Sequence, residues 1–212
     1  MTALPAPTLA RGPWLDADAV RRLGEGHVLV IDGFLGAATA VLAADALRAL
    51  DLDGALTPAA LGRARLHRPE IRGDRTAWYS EVDLPDGLRP LWPAFEGLRQ
   101  LLNQEAWLGL RRFELQLACY PGHGERYAAH TDTFIGDPAR RATAVLYLNP
   151  AWEPAHGGCL RAWTPDGDIL VEPVLDRLVV FRSDAVRHEV LPAFAPRLAA
   201  TAWLLGSEAE KL

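Results

Sequence analysis

The sequence contains few cysteines and no long apolar run. Only Cys119 and Cys159 occur among its 212 residues, and their spacing forms neither a C-x-x-C motif nor a disulfide framework. We therefore expect two free thiols and a cytoplasmic protein, because disulfides are rare in reducing compartments. No apolar stretch approaches the ~20 residues that cross a bilayer, and the first residues lack the basic leader and apolar core of a signal peptide. These absences argue against a membrane partner.

An excess of basic residues is also missing. The formal net charge is −5, whereas proteins that bind nucleic acid select for basic surfaces, so we expect no nucleic-acid partner. Half of the residues are apolar, which is enough for a buried core. The length fits one domain. We predict a flexible, Pro- and Ala-rich N-terminus over residues 1–13, then a single domain over residues 14–212, and a monomer.

The pattern of apolar residues changes near residue 110. Before it, apolar side chains recur at helical spacing over Leu15–Leu23, Ala37–Leu50 and Leu88–Trp107. The β-branched run Val28–Phe34 predicts a strand that ends in a turn. Asp51–Arg75 shows no sustained period and is predicted to be a long mobile loop with short strands at its edges.

After residue 109 the chain consists of short apolar or alternating runs separated by turn signals. Many short strands at this spacing indicate a sandwich or barrel. We therefore predict an α+β fold that is mainly β, with supporting helices in the N-terminal part and a β core over about residues 110–205. The predicted strands are Phe113–Tyr120, Thr143–Asn149, Gly158–Thr164, Ile169–Val174, Arg177–Arg182, Glu189–Pro192 and Leu198–Leu205.

The triplet H-T-D supplies two candidate metal ligands. His130 and Asp132 are two residues apart, so an extended backbone places both side chains on one face. His188, just after the predicted strand over residues 177–182, is a candidate third ligand. Two imidazoles and one carboxylate form the facial triad of non-heme Fe(II) oxygenases. An isolated H-x-D triplet is a weak signal, since most such triplets lie on the surface or in turns.

A lone arginine begins the last predicted strand. Period two places Arg197 on the same face as Thr201 and Trp203, and both faces of this strand are otherwise apolar. The side chain is therefore expected to point into a walled cavity, where a guanidinium needs an anion. The neighbouring strands offer no obvious acidic partner, so a carboxylate on a ligand is the better candidate. Tyr147 and Tyr120, each on a predicted strand, could donate to the same carboxylate.

Several further segments form a pattern that extends over roughly residues 27 to 205. They are Val30–Gly36, Ile71–Trp78, Cys119–Asp132, Tyr147–Asn149, Gly157–Arg161, Asp176–Asp184, His188–Val190 and Ala195–Trp203. Together they resemble the Fe(II)/2-oxoglutarate prolyl 4-hydroxylases, above all the Egl-nine (hypoxia-inducible factor prolyl hydroxylase) branch and its bacterial relatives. The linker T-F-I-G-D-P-A-R-R after the H-T-D triplet departs from the family's more polar, Asn-rich version.

This resemblance implies a fold, a reaction and a set of site residues. The fold would be a double-stranded β-helix, or jelly-roll, supported by helices. The cofactors would be Fe(II), 2-oxoglutarate and O2, with ascorbate as an optional addition. The metal ligands would be His130, Asp132 and His188. The 2-oxoglutarate pocket would comprise Arg197, Tyr147, Tyr120, Leu160, Thr201 and Trp203. A substrate peptide would contact Arg72, Asp74 and Arg140, with the loop Asp51–Arg75 as a lid.

Three functions remain open from the sequence. The first is hydroxylation of a prolyl residue, at the 4-position, in a protein or peptide. The second is the same oxygenase chemistry on a small molecule such as a free amino acid, which a small closed pocket would favour. The third is a non-catalytic, metal-binding jelly-roll sensor, which would not need the carboxylate-binding Arg197 and Tyr147.

Overall fold

A computed structural model describes residues 15–60, 66–133 and 139–207 of the chain. The flexible N-terminus predicted over residues 1–13 lies outside these ranges. The described residues form two antiparallel β-sheets and three α-helices, which agrees with the predicted α+β, mainly β fold. The helices are α1 (Ala17–Gly24), α2 (Ala37–Leu52) and α3 (Leu91–Ala106).

The helices form where the sequence predicts them, with shifted ends. In α1 the side chain of Asp16 accepts a hydrogen bond from the backbone N–H of Ala19 over 2.8 Å, which caps the first turn. In α3, Leu91, Phe95 and Leu98 are spaced by four and three residues and are fully buried, so they form the apolar stripe of a core-facing helix.

Eleven strands make up the two sheets within the described residues. The larger sheet has the order β1-β9-β6-β11-β4-β3-β2, and the smaller has the order β5-β10-β7-β8. The strands are β1 (Leu29–Asp32), β2 (Thr57–Pro58), β3 (Arg75–Tyr79), β4 (Arg112–Tyr120), β5 (Glu125–His130), β6 (Arg140–Tyr147), β7 (Leu160–Thr164), β8 (Gly167–Val171), β9 (Arg177–Arg182), β10 (Arg187–Ala193) and β11 (Arg197–Leu205).

The two faces of the larger sheet contact different parts of the protein. On β11, Leu198 and Leu204 belong to the main core, which the helices also fill. Arg197, Thr201 and Trp203 alternate with them and line a cavity on the opposite face, towards the smaller sheet. The prediction from period two is therefore confirmed for this strand.

The smaller sheet is irregular where β5 meets β10. His188 pairs with His130 and Val190 pairs with Tyr127, so two residues advance on β10 while three advance on β5. One extra residue on β5 is a β-bulge, which bends a strand and re-aims its side chains. Tyr127 and His130, three residues apart, consequently face the same side.

The segment predicted as a mobile loop is partly ordered by strand pairing. β2 pairs with β3, and Arg72 forms an isolated β-bridge with Tyr127. The backbone N–H of Ala128 donates to the carbonyl oxygen of Ile71 over 2.7 Å, and that of Gly73 donates to Arg126 over 3.0 Å. The end of this segment therefore lies against β5 as part of the wall of the site.

Two further expectations can be compared with the described residues. Cys119 and Cys159 are both free thiols. None of the described helices is long and apolar enough to span a membrane.

Candidate metal centre

Two histidines and one aspartate meet where the smaller sheet faces the larger one. His130 is the last residue of β5. His188 lies in β10, where it is paired with His130. Asp132 follows β5, and its backbone N–H donates to the carbonyl oxygen of Ser183 over 3.2 Å. One ligand atom from each of the three side chains lies within 4.8 Å of the others. The structure thus brings the three predicted ligands together.

Backbone carbonyls determine the tautomer of both imidazoles. Nδ1 of His130 lies 2.8 Å from the carbonyl oxygen of Ala128, and Nδ1 of His188 lies 3.2 Å from that of Val186. Because a carbonyl only accepts, each Nδ1 carries the hydrogen and each Nε2 presents a lone pair. The two Nε2 atoms lie 3.5 Å and 3.8 Å from the carboxylate oxygens of Asp132. This donor set fits a divalent transition metal such as Fe(II).

The carboxylate of Asp132 is held by a buried hydroxyl pair. Thr143 donates to Oδ2 of Asp132 over 2.7 Å, and Oγ of Ser183 lies 2.8 Å from the same threonine hydroxyl. Burial opposes the charged form, but the imidazoles of His188 and His130 and the hydroxyl of Thr143 outweigh it and hold the pKa of Asp132 well below its usual range. Burial also lowers the pKa of His188, against the pull of Asp132. A charged carboxylate and a neutral imidazole are the states that bind metal.

Arg197 lies beside this cluster and is 4% exposed. Its Nε donates to the carbonyl oxygen of Gly158 over 2.6 Å. The guanidinium carbon is 5.0 Å from the ring centroids of both Tyr120 and Tyr147. The described part of the chain gives the guanidinium no carboxylate partner. Since a buried guanidinium seeks an anion, the cavity suits a ligand with a carboxylate at this end.

The hydroxyl group of Tyr147 points to the same requirement. It is buried and has no hydrogen-bond partner among the described residues. Burial raises the pKa of Tyr147 to about 12, although nearby Arg197 opposes this, so the hydroxyl keeps a hydrogen that it can donate. A buried donor without a partner is uncommon in native structures, and a ligand carboxylate bound to Arg197 would satisfy it.

The remaining residues predicted for the 2-oxoglutarate pocket line the same cavity. It also contains the metal-ligand candidates, so the cluster and the guanidinium open into one space. The wall residues placed here by both sequence and structure are Tyr120, Leu160, Thr201 and Trp203.

Arg72 and Asp74 form a buried ion pair at the mouth of the cavity. Nε and Nη2 of Arg72 donate to the two carboxylate oxygens of Asp74 over 2.8 Å and 2.9 Å. Nη2 also donates to Oε1 of Gln116 over 2.9 Å. Both residues line the cavity, and Arg72 also lines a larger groove outside it.

That groove, of about 680 Å³, leads from the metal-ligand cluster to the surface. Trp78 is 51% exposed there and stacks on Trp203, with ring centroids 5.0 Å apart. The guanidinium carbon of Arg140 lies 4.3 Å from the centroid of Trp203, and Nη2 of Arg140 lies 3.6 Å from a carboxylate oxygen of Glu114. Arg140 is therefore in the groove and apart from the metal-ligand cluster.

Three residues of the site were missed by sequence reasoning. Thr143 lies four residues before Tyr147 on β6, and Gln116 lies four residues before Tyr120 on β4, so period two could have placed both in the cavity. Tyr127 is different, because the bulge in β5 interrupts that period.

Comparisons with known proteins agree with this chemistry. The family described as the 2OG-Fe(II) oxygenase superfamily matches residues 115–205. Prolyl hydroxylase EGLN3 of Mus musculus is 34% identical over 194 residues, covering 84% of this chain and 78% of that protein. The chain belongs to the prolyl hydroxylases of the 2OG-Fe(II) oxygenase superfamily. The hypoxia-inducible factor prolyl hydroxylase of Caenorhabditis elegans is 33% identical over 206 residues, which are 91% of this chain and 28% of that protein.

Solved structures of prolyl hydroxylases have the same fold. A prolyl-4-hydroxylase of Pseudomonas putida has a TM-score of 0.81 at 38% identity and covers 91% of this chain and 100% of its own. A Trichoplax adhaerens prolyl hydroxylase, in complex with a hypoxia-inducible factor peptide fragment, has a TM-score of 0.79 at 27% identity and covers 88% and 86%. The predicted jelly-roll is thereby confirmed. As a member of this family, the chain is an oxygenase that requires Fe(II), 2-oxoglutarate and O2.

Proposed function

We propose that the protein hydroxylates a prolyl residue of a protein or peptide at the 4-position, and that 2-oxoglutarate is converted to succinate and CO2. The observation that carries this proposal is a cavity that holds both the His-Asp-His cluster and the guanidinium of Arg197, beside an open groove. The relatives that are prolyl hydroxylases support the prolyl substrate, and the structure with a bound peptide fragment supports a peptide in the groove.

In this proposal His130, Asp132 and His188 hold Fe(II) through two Nε2 atoms and one carboxylate. Bound there, the iron and 2-oxoglutarate supply the oxidising chemistry that places one oxygen atom of O2 on the substrate. The protein orients the ligands, since the hydrogen bonds from Nδ1 to Ala128 and Val186 keep both lone pairs directed at the metal position.

Arg197 and Tyr147 would bind the distal carboxylate of 2-oxoglutarate. The guanidinium supplies the charge, and the buried hydroxyl supplies one further hydrogen. The walls formed by Tyr120, Leu160 and Trp203 are buried, and together with the half-buried Thr201 they would exclude water from the reacting atoms.

The groove would receive the substrate chain. Arg72 and Asp74 would form the edge between cavity and groove, because Arg72 lines both spaces and its partner Asp74 lines the cavity. Trp78 and Arg140 would contact the peptide further out, where an exposed indole and a guanidinium can pack against a prolyl ring and its neighbours.

The two alternatives are less well supported. A small-molecule enzyme would be expected to have a small closed pocket, whereas a groove of about 680 Å³ lies beside Arg72 and Arg140. A metal sensor without catalysis would not need a buried guanidinium that has no carboxylate partner among the described residues.

The test is a search for the modified proline. The protein is incubated with Fe(II), 2-oxoglutarate, ascorbate and an extract of its host's proteins, and peptides are analysed by mass spectrometry. We expect at least one proline to gain one oxygen atom with the wild type and none with His130→Ala. Succinate formation without any hydroxylated proline would contradict the prolyl substrate, and a product on an added free amino acid would favour the small-molecule alternative.

We further propose a single domain over residues 14–212 that acts as a cytoplasmic monomer and binds no nucleic acid. The two free thiols and the net charge of −5 support this. Light scattering and a nucleic-acid shift assay on the purified protein would test the oligomeric state and the absence of binding.

A further inference from the structure

Tyr127 contacts a metal-ligand candidate, and the proposed reaction leaves it without a role. Its ring stacks on the imidazole of His130, with centroids 3.8 Å apart and planes at 21°. The guanidinium carbon of Arg72 lies 4.6 Å from the centroid of the same ring. Tyr127 is therefore in contact with a candidate ligand and with a cation.

The guanidinium of Arg72 is itself held in place by hydrogen bonds. Arg72 donates to both carboxylate oxygens of Asp74 and to Oε1 of Gln116. Asp74 and Gln116 are 2% and 4% exposed, so both anchors are inside the protein. A guanidinium fixed by three hydrogen bonds restrains the aromatic ring that it contacts.

The backbone brings these side chains into contact. Arg72 and Tyr127 face each other in a β-bridge. Next to it, a Cβ atom on Gly73 would lie 2.9 Å from Cβ of Glu125, so the two backbones can approach this closely only with glycine at position 73. The bulge in β5 then turns Tyr127 to the side on which His130 lies.

The two imidazoles of the cluster differ in how they are enclosed. The side chain of His188 is 7% exposed and packs against Phe181, with ring centroids 4.7 Å apart. The side chain of His130 is 20% exposed. A hydrogen bond at Nδ1 directs that edge of the ring, but it leaves the tilt of the ring plane free. A second ring stacked on the imidazole face removes that freedom.

We propose that Tyr127 is a positioning residue for His130: its ring, restrained by Arg72, fixes the plane of the imidazole so that Nε2 points at the metal position. This inference rests on the proposed function, because it needs a metal bound by His130. Tyr127 touches no reacting atom in this scheme, and it acts through the ligand.

Co(II) serves as the probe, since its binding and its visible absorption spectrum can be measured without turnover. In Tyr127→Leu the stacked ring is lost, and we expect Co(II) affinity to fall on the order of tenfold, as for other groups that orient a metal ligand, with shifted absorption bands. Tyr127→Phe keeps the ring and should retain wild-type affinity and spectrum. Tyr79→Leu is the matched control, because Tyr79 is a half-buried tyrosine that packs against the main core and lines neither cavity nor groove.

A wild-type Co(II) affinity and spectrum in Tyr127→Leu would overturn the inference. Thermal unfolding of each metal-free variant shows whether it folds. If Tyr127→Leu does not fold, Gly73→Ala decides: it should push the bridge away from β5 and weaken Co(II) binding, and unchanged binding there would also overturn the inference. Failure of the proposed function would look different: no hydroxylated proline would form, while Co(II) affinity would still differ between the wild type and Tyr127→Leu. A His130→Ala variant that binds Co(II) as well as the wild type would overturn the inference, because His130 would then not be a ligand.

Discussion

The hydroxyl of Thr143 donates to the carboxylate of Asp132 over 2.7 Å, and both groups are buried. The hydrogen bond leaves Oδ1 of Asp132 facing Nε2 of His130. Loss of a group that holds a metal ligand in this way typically lowers metal affinity or activity by roughly 10- to 100-fold.

Replacing Thr143 by valine removes this hydrogen bond with little change of shape. We expect Thr143→Val to need on the order of tenfold more Fe(II) for half-maximal succinate formation. Thr143→Ser keeps the hydroxyl and is expected to behave like the wild type. Equal Fe(II) requirements in the valine variant and the wild type would remove the hydroxyl from the metal centre.

Loss of a ligand should abolish iron-dependent activity. His130→Ala or Asp132→Ala is expected to give no succinate above background, and treatment of the wild type with a chelator should do the same until Fe(II) is restored. His123→Ala is the control, because the side chain of His123 is 82% exposed and lies outside the cavity. Residual iron-dependent turnover in both ligand variants would contradict the assignment.

Exchange of Arg197 for lysine keeps the charge and loses the planar pair of donors. A charge-assisted hydrogen bond contributes roughly 1.5–3 kcal/mol, so we expect Arg197→Lys to raise the KM for 2-oxoglutarate by about tenfold or more. The Fe(II) requirement should change much less, which separates this effect from damage to the metal centre. An unaltered KM for 2-oxoglutarate would exclude Arg197 from the cosubstrate site.

The two cysteines should differ in their reaction with thiol reagents. Cys119 is 1% exposed, and burial, with the neighbouring Asp51 carboxylate, raises its pKa to about 12. Since the thiolate is the reactive form, Cys119 should stay unmodified at pH 8 in the native protein. Labelling followed by peptide mapping should find modification at the half-buried Cys159 and not at Cys119, which should react only after unfolding. Early labelling of Cys119 in folded protein would disprove this.

The alternation of residues along one strand was sufficient to predict one wall of the site. Alternation along β11 predicts correctly that Arg197, Thr201 and Trp203 share a face, because β11 pairs regularly with β4 on one side. The acid that β4 carries on this face, Glu114, is paired with Trp203 and is therefore at the other end of the strand from Arg197, which is paired with Tyr120. The proposal that Arg197 binds a ligand carboxylate therefore needs only residue types and period.

The other parts of the site depend on contacts between distant segments, which the period of residues along a strand does not encode. The stack of Tyr127 on His130 requires a bulge, and a bulge arises from how two strands meet. The pairing of Arg72 with β5 joins segments about fifty residues apart. Short strands at the edges of this loop were predicted, but the bridge to β5 was not, because Gly73 permits a close approach that composition does not reveal.

The three metal-ligand candidates are anchored to both sheets. His130 and His188 lie on the smaller sheet, whereas Asp132 is bonded through its backbone to Ser183, at the end of β9, and through its side chain to Thr143 on β6 of the larger sheet. A bound ion would consequently cross-link the two halves of the jelly-roll. Metal binding would then stabilise the folded state as well as support catalysis. At a free metal concentration one hundred times the Kd, it would raise the free energy of unfolding by about 2.7 kcal/mol. Loss of iron would therefore weaken the contact between the two sheets as well as stop the reaction.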